Sequence, residues 1–273
     1  MIPIQYALRR RMMMAALGSG IDVSALSITY TGAYTDYGMV TMSDGARYRL
    51  LAFTSSGTLS IEQPVNCEVC VVGGGANGAK AADSGPSAGP GNGGAGAYLK
   101  NQSVSAYNGG SVVVGAGQGV SSIADVSVNA VSGKNGGTGA GGNTAGTGDG
   151  ISKYPFEDTG YSLWAGKPHC AGGGQGAYKF ETPRGYRGYN GGNGGTNGGN
   201  GYPQGSNQVS KPSGGVGGSY GGGAGGAGKG RNATYYGSGA GGGEHDERED
   251  GSQMFYDGGS GYQGIVYIRI PED

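Results

Sequence analysis

Apolar and polar positions alternate in short runs at the two ends of the chain, and the alternation fades between them. Leu26-Ser27-Ile28-Thr29-Tyr30, Met39-Val40-Thr41-Met42 and Tyr48-Arg49-Leu50-Leu51-Ala52-Phe53 read as strands, with turn signals at Thr31-Gly32 and Asp44-Gly45. Thr58-Leu59-Ser60-Ile61, Glu68 to Val72, Ala97-Tyr98-Leu99 and Ser111 to Val114 continue the series. A last run, Gly264 to Ile270, sets Val266, Ile268 and Ile270 on one face. A closing strand so far from its partners predicts a sheet assembled from both chain ends, with the middle of the chain bulging out between them. Before the first strand the period changes: Ile4, Leu8, Met12 and Ala15 form one stripe of a short helix that Gly18 and Gly20 end. A helix this short is marginal alone. It either packs on its own domain or plugs into a larger assembly, a homotrimer seam being one form of the second reading.

What fills the middle is glycine, 67 of 273 residues. Gly191-Gly192-Asn193-Gly194-Gly195-Thr196 and Gly214-Gly215-Val216-Gly217-Gly218-Ser219 show the unit, a three-residue G-G-x step that repeats and breaks. Polyproline II geometry has three residues per turn and no internal hydrogen bonds. Rods of that geometry without side chains can lie together and bond laterally, which satisfies their backbone polar groups. Collagen is excluded, since the doublets slip register at Asn197 and Tyr220 and only 10 residues are proline. A flexible glycine linker is the competing reading, but 19 tyrosines punctuate these segments and argue for order. The expectation is an all-β protein: a jelly-roll-like β-sandwich with an extension of packed polyglycine II helices and a short N-terminal helix. It divides into an attachment helix (1–20), a sandwich with a first glycine-rich insertion (21–132), a polyglycine array with aromatic loops (133–263) and a closing strand (264–273).

Composition narrows the function. A net charge of −1 with 14% charged residues leaves no basic face for nucleic acid, and the one basic run is Arg9-Arg10-Arg11. No stretch approaches the roughly 20 apolar residues of a membrane span. The apolar run Met12 to Leu17 falls below the length of a signal-peptide core, so the sequence reads as made in the cytoplasm without the usual export signal. Cys67 and Cys70 form C-x-x-C, but on a strand they point to opposite faces and suit buried small residues. Joining them with His169 and Cys170 in a zinc site is the weaker alternative.

Other motifs mislead. Gly73-Gly74-Gly75-Ala76-Asn77-Gly78 matches a dinucleotide fingerprint after a strand, but Pro86 and Pro90 follow where that motif requires a helix. His169 and His245, the only histidines, sit in no nucleophile or metal signature. Glu244 to Asp250 is an acidic run without calcium-loop spacing, read as a solvated loop, with a weak divalent-cation site as the alternative. The chain reads as no enzyme and calls for no cofactor.

Phe53-Thr54-Ser55-Ser56-Gly57-Thr58-Leu59, Glu68 to Gly75, Gly93-Gly94-Ala95-Gly96, Val112 to Gly117 and Gly258 to Arg269, in that order, resemble the glycine-rich domain of phage tail and prophage appendage proteins. More loosely, the alternation of glycine tracts with aromatic inserts is similar to the polyglycine II sandwich adhesins at phage fibre tips. The resemblance implies a virion appendage whose inserts bind a host cell-surface receptor, protein or glycan, while the N-terminal helix joins other tail proteins. The inserts hold Tyr154, Phe156, Tyr161, Trp164, Tyr186, Tyr189, Tyr202, Tyr235, Tyr236, Phe255 and Tyr256, amphipathic rings of the kind that dominate binding surfaces. The same rings could instead cap the ends of the rods. A purely structural tail, baseplate or capsid-decoration component is the second function class, and an ice-binding or surface-coat protein the third, which the irregular inserts disfavour.

Overall fold

The computed structural model describes residues 21–82, 90–91, 93–133, 154–182, 185–189, 216–217, 222–226 and 228–272. The expected helix over 4–17, the G-G-x unit at 191–196, that at 214–219 apart from residues 216–217, and Tyr202 lie outside them. Twelve strands occur in the described chain: β1 Ile28–Tyr30, β2 Tyr34–Thr41, β3 Arg47–Phe53, β4 Gly57–Val72, β5 Leu99–Val113, β6 Ser121–Ile123, β7 Val128–Ala130, β8 Tyr178–Thr182, β9 Gly185–Tyr189, β10 His245–Glu247, β11 Gln253–Phe255 and β12 Ile265–Pro271. The fold is all-β. An eight-stranded sheet runs β2-β3-β12-β4-β5-β6-β7 with β1 also on β4, every pair antiparallel, and a four-stranded sheet runs β11-β10-β8-β9.

Both chain ends do meet in the large sheet, because β12 inserts between β3 and β4, pairing Ile268 with Leu51 on one side and Val69 on the other. The strands expected at 58–61 and 68–72 are one long strand, β4. Its register against β5 shifts between Ser60 and Val65, opposite Gly109 and Gly110, whose φ values of +116° and +143° only glycine adopts readily. The β4–β5 ribbon folds over at this bend, as strands do where one sheet turns into a second layer. β1, carried by the far half of β4, thereby brings Tyr30 to 4.7 Å from the Phe53 ring on the near half. Leu51, Phe53, Leu59, Ile61, Val69, Val71, Val266, Ile268 and Ile270 fill the space between the halves. The expected single face of Val266, Ile268 and Ile270 is present. Cys67 lies in this cluster and Cys70 in a second one on the opposite face, as strand alternation predicts. Both thiols are free, and burial pushes the Cys67 thiol up to about 12.

The described glycine segments form a bonded array built around one rod, Gly237–Glu244. Its N–H groups leave in three directions that recur every third residue. Gly239, Gly242 and His245 donate to Ala171, Gly174 and Ala177; Ala240 and Gly243 donate to Ala76 and Ala79; Gly241 and Glu244 donate to Arg231 and Gly228. Its carbonyls accept with the same step, from Gly91, Gly94 and Ala97, from Gly223 and Gly226, and from Tyr256, Gly259 and Tyr262. Among the described residues six segments, at 73–81, 90–91 with 93–98, 170–177, 222–226, 228–233 and 256–264, therefore surround the central one. A three-residue period with every bond directed sideways is the packing of polyglycine II. Two of these segments, 73–81 and 90–98, precede residue 133, so the array draws on both glycine-rich parts of the chain.

Register gives direction. The segments at 73–81, 170–177 and 222–226 run parallel to the central rod, whereas those at 90–98, 228–233 and 256–264 run against it. The near end joins the large sheet at Val72, Leu99 and Ile265, and the far end passes into the small sheet at Tyr178, His245 and Phe255. Seven steps of about 3.1 Å from Gly237 to Glu244 set the two sheets roughly 20 Å apart along the rods. At many rod glycines there is no room for a side chain. A Cβ on Gly173, Gly225 or Gly241 would lie well under 3.0 Å from a neighbouring backbone carbonyl. Ala76, Ala95, Ala171 and Ala240 are rod positions at which a methyl group is accommodated, all fully buried.

Candidate functional site

The insert at 154–170 covers the second face of the large sheet. Asp158 ties it down: its carboxylate accepts from the backbone N–H of Ser43 at 3.0 Å, of Gly160 at 3.0 Å and of Tyr161 at 3.1 Å. Burial works to raise the pKa of that carboxyl, but these hydrogen bonds together outweigh it and leave the group below its ordinary value. Trp164, fully buried, donates its indole N–H to the Asp158 carbonyl and packs edge-on against Tyr161 at 4.8 Å and Tyr267 at 5.5 Å. Beneath the insert, Arg269 is 2% exposed, ion-paired with Glu68 at 2.7 Å and held between the Tyr48 and Phe156 rings at 4.4 and 4.3 Å.

The eleven rings expected to bind thus separate. Trp164 and Phe156 are core, which corrects the expectation that they face a receptor: an apolar sheet face on which they lie takes more contact from a large ring than solvent could. Tyr154, Tyr161, Tyr235 and Tyr236 are half-buried near the large sheet. Phe255 and Tyr256, also half-buried, stand at the far end of the rods, and Tyr186 and Tyr189 belong to β9 there. The acidic run also departs from the expected solvated loop. Glu244 is buried where the rod enters the small sheet and His245 and Asp246 are buried in its strand β10, where Lys179 Nζ meets Asp246 at 2.7 Å, and only Arg248 to Asp250 are exposed. Among the described residues no group of three or more His, Cys, Asp or Glu is arranged to hold a metal.

Where the rods leave the large sheet, tyrosines gather into a surface patch. Tyr235 and Tyr236 lie 5.3 Å apart, Tyr236 and Tyr262 5.6 Å apart, and His169 stacks beneath Tyr236 at 6.0 Å. Tyr37 stands beside them. Burial is the main cause that raises the Tyr161 and Tyr236 hydroxyls above the ordinary tyrosine value, and the closeness of Tyr37 adds to both. Tyr37 and Tyr262 are the open members, 41% and 36% exposed. Sequence reasoning missed both, because Tyr37 precedes the strand read at 39–42, beside a register shift in β2, and Tyr262 lies in a glycine tract.

His169 anchors the patch from below. It is fully buried, its Nε2 lies 3.1 Å from the Tyr267 hydroxyl, and its Nδ1 has no partner. Burial lowers its pKa to about 3. The unfolded chain takes up this proton below about pH 6.5 and the folded chain only near 3, so the contribution is intact above pH 6.5 and drains away as the pH falls toward 3. The full loss is on the order of 5 kcal/mol. Melting measured across that window should fall steeply in the parent, and His169→Gln, which cannot charge, should flatten the profile. An equally steep profile in the variant would assign the acid sensitivity to other groups.

No family model matches this chain, and no curated protein matches it. Among the described residues no helix is long and apolar enough to cross a membrane.

Proposed function

We propose that this chain is a bacteriophage virion appendage protein, a tail-fibre-tip adhesin that attaches to a host cell-surface receptor through aromatic side chains held on a polyglycine scaffold. In this reading the folded-over sheet is a jelly-roll-like hub, the N-terminal segment 1–20 joins other tail proteins, and the chain acts in the virion without catalysis. The tyrosine patch carries the proposal. Tyr37, Tyr161, Tyr235, Tyr236 and Tyr262 present rings and hydroxyls together, and they rest on the buried His169 and Trp164 and on a rod that six neighbours hold in place. Rigid aromatic groups bind at low entropic cost.

The double variant Tyr37→Ala/Tyr262→Ala tests it. Both rings are exposed, so the melting temperature should stay near the parent's, while adsorption of the purified protein to cells that take up the particle should weaken roughly thirty-fold. Unchanged adsorption would overturn the assignment of the patch. A structural tail or decoration component is the second reading, and Val113, Val120 and Val131 favour it: all three are exposed, at 38%, 46% and 46%, beside the edge strand β7, where a neighbouring subunit could cover them. Lost particle assembly in Val120→Asp, with full adsorption by the double tyrosine variant, would select that reading.

A further inference from the structure

On the flank of the insert a groove of about 410 Å³ opens between the start of β5 and the turn at 154–159, lined by Leu99, Lys100, Asn101, Tyr154, Glu157 and Thr159. We propose that this groove is a binding site for a neutral saccharide unit. Its size falls in the range of roughly 300–1,000 Å³ usual for small-ligand sites. Its chemistry decides the class of ligand. Leu99 is the apolar floor and the half-buried Tyr154 offers one ring, which suits the C–H face of a pyranose. Around that ring stand an ammonium, a carboxylate, an amide and a hydroxyl, donors and acceptors in the mixture that vicinal hydroxyls require. Lys100 and Glu157 bring one charge of each sign, so the groove favours neither an anion nor a cation.

The wall is also fixed. Phe156 and Glu157 both take left-handed backbone conformations, φ +55° and +59°, which side chains other than glycine's rarely adopt. Three contacts hold the turn there: the Phe156 N–H donates to the Asn101 side-chain oxygen at 3.1 Å, the Phe156 ring covers Arg269, and Asp158 clamps the following residues. With its oxygen so engaged, the Asn101 amide has its NH2 group left to donate. Glu157, Thr159, Lys100 and Asn101 are all exposed, so their polar ends are open to a ligand. The groove does not depend on the tyrosine patch, which receptor adsorption tests by a separate measurement.

The experiment titrates the purified full chain with methyl glycosides of glucose, galactose and mannose, with N-acetylneuraminate as an anionic probe and glucosamine as a cationic one, following backbone amide chemical shifts. A neutral glycoside should shift the amides at 99–101 and 154–159, and Tyr154→Ala should weaken that binding roughly tenfold or more. Because Tyr154 also touches the second core cluster, Glu157→Gln and Thr159→Ala, at exposed positions, serve as companion variants and should each weaken binding without lowering the melting temperature. The proposal is overturned if no neutral glycoside shifts these amides at millimolar concentration, if only a charged probe does, or if the shifts survive in both companion variants.

Discussion

Gly241→Ala is expected to unfold the protein, although it adds a single methyl group. Gly241 is in the central rod, where it donates to Arg231 and accepts from Gly259, and the added Cβ would press into the Ala224 carbonyl of a third neighbour. Relief requires two rods to separate, and each of them is bonded to others with the same step, so the displacement spreads through the array. Ordinary overpacking costs about 1–3 kcal/mol. Here broken lateral bonds add to it, and a loss of about 5 kcal/mol would consume most of the stability of a typical domain. Two controls isolate the cause. Ala240, the preceding residue of the same rod, already carries a buried methyl, so the rod accommodates a methyl at that position. Gly38→Ala, at φ +65° with nothing within 4 Å of the added Cβ, should cost only about 1 kcal/mol. Thermal melting of the three proteins reads the difference, and a Gly241→Ala protein that melts with the parent would refute close-packed rods.

Trp164→Ala should show the second large effect, and on stability. Removing a fully buried ring from a packed site costs about 3–5 kcal/mol. The loss should also release the insert, since Trp164 joins Tyr161, Tyr267 and the Asp158 carbonyl. A surface hot spot would behave in the opposite way, with adsorption lost and melting retained. Measuring both in one purified variant decides between them, and a parent-like melting temperature would return Trp164 to the surface.

The outline of the sheet was legible because strand alternation is local. Leu50 and Leu51, or Val71 and Val72, each announce a strand buried on both faces, and the outward-bulging middle followed from the distance between β4 and β12. Trp164 was misjudged for the same reason: an insert without periodicity gives no sign of which face it covers, and the apolar face of β3, β4 and β12 that receives it is created only when the sheet assembles. The short strands β6 to β11 were not foreseen either. Three-residue strands such as β10 and β11 exist because rods deliver their ends side by side, which no local pattern records.

An all-β chain, a sheet shared by strands far apart in the sequence, and lateral bonding as the way for glycine tracts to satisfy their backbones were all legible in the residues alone. These properties follow from period and composition, which act residue by residue. Which rod is central, which rods run with it and which against it, and which tyrosines surface together emerge only from the assembled fold. A polyglycine rod offers equivalent bonding directions all round its axis, so its own residues cannot select neighbours. The selection comes from where Val72, Leu99 and Ile265 leave the large sheet, and that sheet exists only after strands far apart in the chain have met.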